Sequence, residues 1–226
     1  MRVALVLVAL TVAVPTAVAR DHTSPLKATF ATPLELKTPV TLRWVDVEKS
    51  LAPSQVDVVS EEVLSLFRDL DVPLVWTRRE AGLAFSTTRG EVPVIVLRVQ
   101  PEHLGRERIL GLVIRDHEPP SPVWVFVDNI RWTLGQSGGA PSPGERRELA
   151  VAVGRVVAHE LVHALAPEHP HAVAGLMAPT LKRADLLAAG APLDWSWVSS
   201  VRSGFAVLVG DRPMSPGLAR GPSGPQ

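Results

Sequence analysis

About twenty residues of this chain, 145–166, form a helix-length stretch that is apolar on almost every side. Leu149, Val151, Val153, Val156, Val157, Leu161, Val162 and Leu165 leave no broad polar face to set against water. A helix of that profile is stable only at the centre of a domain, covered on all sides by other elements. The rest of the chain must therefore supply that cover. With 226 residues and 46% hydrophobic composition there is enough material for one full core.

The residues before this helix read as the covering layers. Residues 38–47 alternate as a first strand. From Pro53 onward, Val56, Val59, Val63, Phe67 and Leu70 recur at helical spacing, which predicts an amphipathic helix lying on a sheet. Residues 72–77 form a short second strand, and 91–99 are a nearly continuous apolar run of the kind buried in a parallel sheet. The order strand, helix, strand, strand implies a right-handed crossover. Residues 109–115 and 122–130 complete a set of five strands. A Gly-, Ser- and Pro-rich loop over 135–144 then leads into the apolar helix. Beyond it, 181–189 read as a short helix stopped by Gly190, and Asp194 as the cap of a last helix starting near Trp195.

The ends differ in composition. Residues 1–19 carry Arg2, an apolar run, Pro15 and the small residues Ala17 and Ala19, the pattern of an export signal cleaved before Arg20. Residues 20–37 are an extended lead-in, 38–209 the folded domain, and 210–226 a Pro-, Gly- and Ser-rich tail expected to be disordered. The expected setting is secreted, periplasmic or extracellular, with no membrane association after signal cleavage. Lys+Arg and Asp+Glu both total 23, so no basic excess draws the chain to nucleic acid. There is no cysteine, which excludes disulfides and thiolate ligands: any metal must be held by His, Asp or Glu.

The apolar helix carries such residues. His159 and His163, four apart, lie on one helix face, and Glu160 stands beside the first. This is the spacing of a zinc site with its own base. A third ligand is available at His169. Had the helix continued, six residues would place His169 about 240° round and roughly 9 Å along the axis from His163. Pro167 and Pro170 disfavour helix at Ala166 and His169, so the chain can turn back toward the metal. In an extended segment His171 projects on the same side as His169 and is the alternative third ligand or a neighbour of it. An acidic third ligand, Asp185 or Asp194, is a further alternative.

The pattern HExxHxxAxxH from His159 to His169, followed by Gly175-Leu176-Met177-Ala178-Pro179, resembles the metzincin clan of zinc peptidases, and the interval to Met177 is similar to that of its matrixin branch. The resemblance implies an α/β fold of the α+β zincin type: one twisted, mostly parallel five-stranded sheet with one antiparallel edge strand, a backing helix, the central zinc helix, a Met-turn and C-terminal helices. It implies that His159, His163 and His169 bind Zn2+, that Glu160 is the general base for a zinc-activated water, and that Met177 forms the floor beneath the metal. The expected activity is endopeptidase cleavage of a peptide or protein substrate by a monomer, with strand 109–115 adding to the substrate backbone. Two departures stand out. Ala166 occupies a position where the family usually has Gly, and a left-handed backbone there would cost Ala about 1 kcal/mol. The chain also has no tyrosine to place beside the metal. The competing expectation is a secreted binding module that keeps the fold without cleaving.

Overall fold

The computed structural model describes residues 38–68, 72–78, 89–105, 107–114, 121–136, 138–168, 170–188 and 195–210. The expected export signal and lead-in, Leu70, His169, Gly190, Asp194 and all of the tail past Gly210 lie outside them. The described residues fall within one compact unit. Among the described residues, no helix is long and apolar enough to cross a membrane.

The order of elements is β1 (Val40–Asp46), α1 (Pro53–Arg68), β2 (Leu74–Arg78), β3 (Glu91–Leu97), β4 (Gly111–Val113), β5 (Val123–Phe126), α2 (Val127–Thr133), α3 (Pro143–Leu165), α4 (Arg183–Leu187) and α5 (Trp195–Val209). The strands form one sheet in the order β2-β1-β3-β5-β4. β1 pairs in parallel with β2 and β3, β3 pairs in parallel with β5, and β4 closes the edge antiparallel to β5. The structure is thus mixed α/β, with a five-stranded, mostly parallel sheet and one antiparallel edge strand. β3 sits at the centre, and Val92, Val94, Ile95 and Val96 are all buried, as a strand covered on both faces requires.

α1 turns Val56, Val59, Val63 and Phe67 inward, the stripe its spacing predicts. α3 is the hub. It packs on α1, α2, α4, α5, β4 and β5, and its buried residues run from Leu149 through Leu165 with few interruptions. Arg155 is buried within it. Its guanidinium meets the Glu62 carboxylate of α1 at 2.8 Å and donates to the Asp185 carbonyl of α4 at 3.2 Å, tying three helices together.

Several element boundaries differ from the sequence reading by two residues or more, three of them around the central helix and the edge of the sheet. The apolar run 122–130 is a strand only to Phe126. From Val127 it is helical, because Val127, Ile130 and Leu134 repeat at three- and four-residue intervals and all three are buried. The edge strand is three residues long rather than the seven of 109–115. α3 starts at Pro143, two residues early, because Ser142 and Glu145 form a reciprocal cap: the Glu145 N–H donates to Ser142 Oγ at 3.2 Å, and the Ser142 N–H donates to Glu145 Oε2 at 2.7 Å.

A candidate metal centre beside the edge strand

α3 ends at Leu165, two residues before Pro167. Its cap, Ala166, has φ −129° and ψ 63°, and the Ala166 N–H still donates to the Val162 carbonyl at 2.7 Å. The backbone at Ala166 is therefore not left-handed, and the cost that a positive φ would impose on alanine does not arise. The proline turn exits the helix without needing glycine.

The chain then returns to the helix face that carries the histidines. His163 Nε2 lies 3.0 Å from His159 Nε2 and 3.1 Å from His171 Nε2. One nitrogen from each of the three rings falls within 4.8 Å of the others, close enough to bind one metal ion. Ligands about 2.05 Å from a tetrahedral zinc would be roughly 3.3 Å apart, so the observed spacing is near that of three corners of such a site. His159 and His163 are buried and His171 is exposed, which leaves the cluster open on one side. His169 lies outside the described residues. The acidic alternative Asp185 spends its carboxylate on its own helix, accepting from the Lys182 N–H at 2.9 Å.

The turn Gly175–Ala178 holds both parts of the cluster through its backbone. Gly175 has φ +79°, a conformation glycine adopts without strain, and its carbonyl accepts from the Ala178 N–H at 3.1 Å. The next carbonyl, of Leu176, accepts from His159 Nδ1 at 2.7 Å. That bond places the ring proton on Nδ1 and turns the Nε2 lone pair toward the other two histidines. The Met177 carbonyl accepts from the Ala172 N–H at 2.8 Å, fastening the residue next to His171. The Met177 side chain is buried in the main core. Burial also lowers the His159 pKa from the ordinary 6.5; the Leu176 bond opposes this and the neighbouring His171 adds to it. A neutral imidazole is the form that binds metal.

Glu160 is buried and lines the same cleft as the three histidines. Its neighbour is Gly111 at the start of β4: a Cβ there would stand 2.8 Å from Glu160 Cγ, 2.8 Å from the Trp124 carbonyl and 2.9 Å from Val156 Cγ1. Only a residue without a side chain lets the edge strand come this close to α3. A glycine inside a strand pattern is the sequence signal that marks such an approach. The cleft encloses about 790 Å³ between residues 107–113, Trp132 and Thr133, the histidines with Glu160, and the segment 178–183.

Set against known proteins, the chain matches no protein-family model and no curated protein.

Proposed function

We propose that the chain is a metal-dependent hydrolase of the zincin class. More narrowly, it is an exported, monomeric, matrixin-like zinc endopeptidase. The observation that carries this reading is the convergence of three imidazole nitrogens with a carboxylate beside them in an open cleft bordered by β4, the edge strand among the described residues.

The donor set suits zinc. His163 Nε2 faces two other ring nitrogens, and His159 Nε2 is a lone pair because its proton is engaged at Leu176. A single ring hydrogen on His163 can satisfy only one of these contacts, whereas one cation satisfies all three lone pairs together. His159, His163 and His171 would hold it, with His171 taking the place that the motif spacing gives to His169. Bound there, zinc would supply a Lewis acid and lower the pKa of a water toward about 7.

The remaining work falls to the chain. The outer edge of β4 offers backbone N–H and C=O groups that can pair with an extended peptide and lay its scissile carbonyl along the helix face. Glu160, beside that edge, takes a proton from the attacking water as its oxygen bonds to the carbonyl carbon. The same carboxyl returns the proton to the amide nitrogen as the C–N bond breaks. Ala166, which argued for a non-cleaving binding module, carries no left-handed strain and lends that alternative no weight.

Glu160→Gln in the mature protein tests the assignment, with casein and a quenched peptide library as substrates. Zinc should remain stoichiometric while turnover falls about 10²- to 10⁴-fold. Undiminished hydrolysis would remove Glu160 as the base.

A further inference from the structure

The cleft wall beyond β4 is built to present a cation. Arg108 lies three residues before Gly111, and its guanidinium carbon stacks 3.9 Å above the centre of the Trp132 ring. Trp132 itself is 54% exposed, so the stacked pair forms part of the open cleft lining. Stacking engages the face of a guanidinium and leaves its N–H edge directed outward, where it can grip a carboxylate. No carboxylate pairs with Arg108 among the described residues.

The loop that carries Arg108 is fixed before any ligand arrives. The Gln100 side-chain amide donates to the Gly105 and Glu107 carbonyls at 3.3 and 2.9 Å, and its oxygen accepts from the Ile109 N–H at 3.2 Å. Asn129 of α2 donates to that same Gln100 oxygen and to the Ile109 carbonyl, both at 2.7 Å. α2 thus holds the loop through Asn129 and supports Arg108 through Trp132, one turn further along.

A second cation, Lys182, lines the cleft from the segment after the Met-turn, and no carboxylate is seen against its ammonium among the described residues. Arg183 beside it is already occupied by Glu148, at 2.7 Å, and by the Leu134 carbonyl. Glu107 and Glu160 are the carboxylates of the lining, and Glu160 belongs to the reacting centre.

We infer that Arg108, stacked on Trp132, and Lys182 make this cleft selective for peptides with an acidic side chain near the scissile bond. The inference rests on the peptidase reading, which places a scissile bond in this cleft. Arg108 stands just ahead of the strand, which begins at Gly111 where Glu160 meets it, and both residues line the same cleft. A substrate paired with β4 runs on past Gly111 toward the guanidinium.

The test uses the zinc-loaded Glu160→Gln protein and two series of fluorescein-labelled decapeptides. One Glu is moved through every position in the first series, and Gln in the second. Binding is read by anisotropy, and the same peptides are offered to the wild-type protein for cleavage. At one position the Glu peptide should bind about tenfold more tightly than its Gln partner. Arg108→Ala should abolish most of that preference, Arg108→Lys should restore part of it, and Lys182→Ala should reduce it. Equal binding at every position, a preference unaltered by Arg108→Ala with Lys182→Ala, or no binding of either series would overturn the inference. Cleavage without charge preference would sink the inference and leave the peptidase intact. A Glu preference in binding with no cleavage by wild type would do the reverse.

Discussion

Gly111 and Glu160 are in direct contact across the boundary between edge strand and central helix, with too little room for even a methyl group between them. The distance between the strand edge and the carboxylate is therefore set by the absence of a side chain. A Cβ at Gly111 would press at once on Glu160, the Trp124 carbonyl and Val156. Gly111→Ala should cost about 1–3 kcal/mol of stability. It should also lower turnover by more than its effect on zinc content, because the carboxylate is displaced and the histidines are not. Thermal melts, metal analysis and peptide hydrolysis on one preparation give all three readings.

The third ligand can be identified by paired substitution. The exposed His171 completes the nitrogen cluster, so His171→Ala should reduce zinc affinity by at least about tenfold, as losses in and around metal shells do. His169→Ala is expected to retain zinc nearly as wild type does. Competition with a chromogenic chelator measures both, and the opposite ranking would return the third position to His169.

Ala166 offers a sharp test of the helix exit. With φ at −129° the position gains nothing from glycine. Ala166→Gly should therefore destabilise the protein by about 0.5–1 kcal/mol, through the larger entropy of the unfolded chain. A gain in stability or activity would mean that the turn is strained after all. Denaturant unfolding of the two proteins decides the matter.

The start of α3 should respond to acid. The Ser142 backbone N–H, followed by the Ser142 hydroxyl, holds the Glu145 carboxyl below its ordinary pKa of 4.5. The folded protein thus binds this proton less readily than the unfolded chain does. The cap's contribution is fully present above about pH 4.5 and is lost as the pH falls through the depressed folded value. Melting temperatures of wild type and Glu145→Gln should differ above that pH and converge below it. Parallel curves throughout would show that the carboxylate form does not matter.

The chain's own sequence determined the buried central helix, because an all-round apolar stretch has nowhere else to go. It also determined the placement of His159 and His163 on one face with Glu160 beside them, because helical geometry fixes residues four apart. The mostly parallel sheet was legible in the order and composition of the runs, whereas its antiparallel edge was expected only from the family resemblance. The shift from strand to helix at Val127 was hidden, since an apolar run satisfies either period until its burial is known. His171 shares a metal-sized space with His159 and His163 only because the Leu176 and Met177 carbonyls tie both parts together. Ala166 escapes strain, and Gly111 touches Glu160, for the same kind of reason. Each depends on where segments distant in sequence come to rest, and those positions are set by packing in three dimensions rather than by any local spacing.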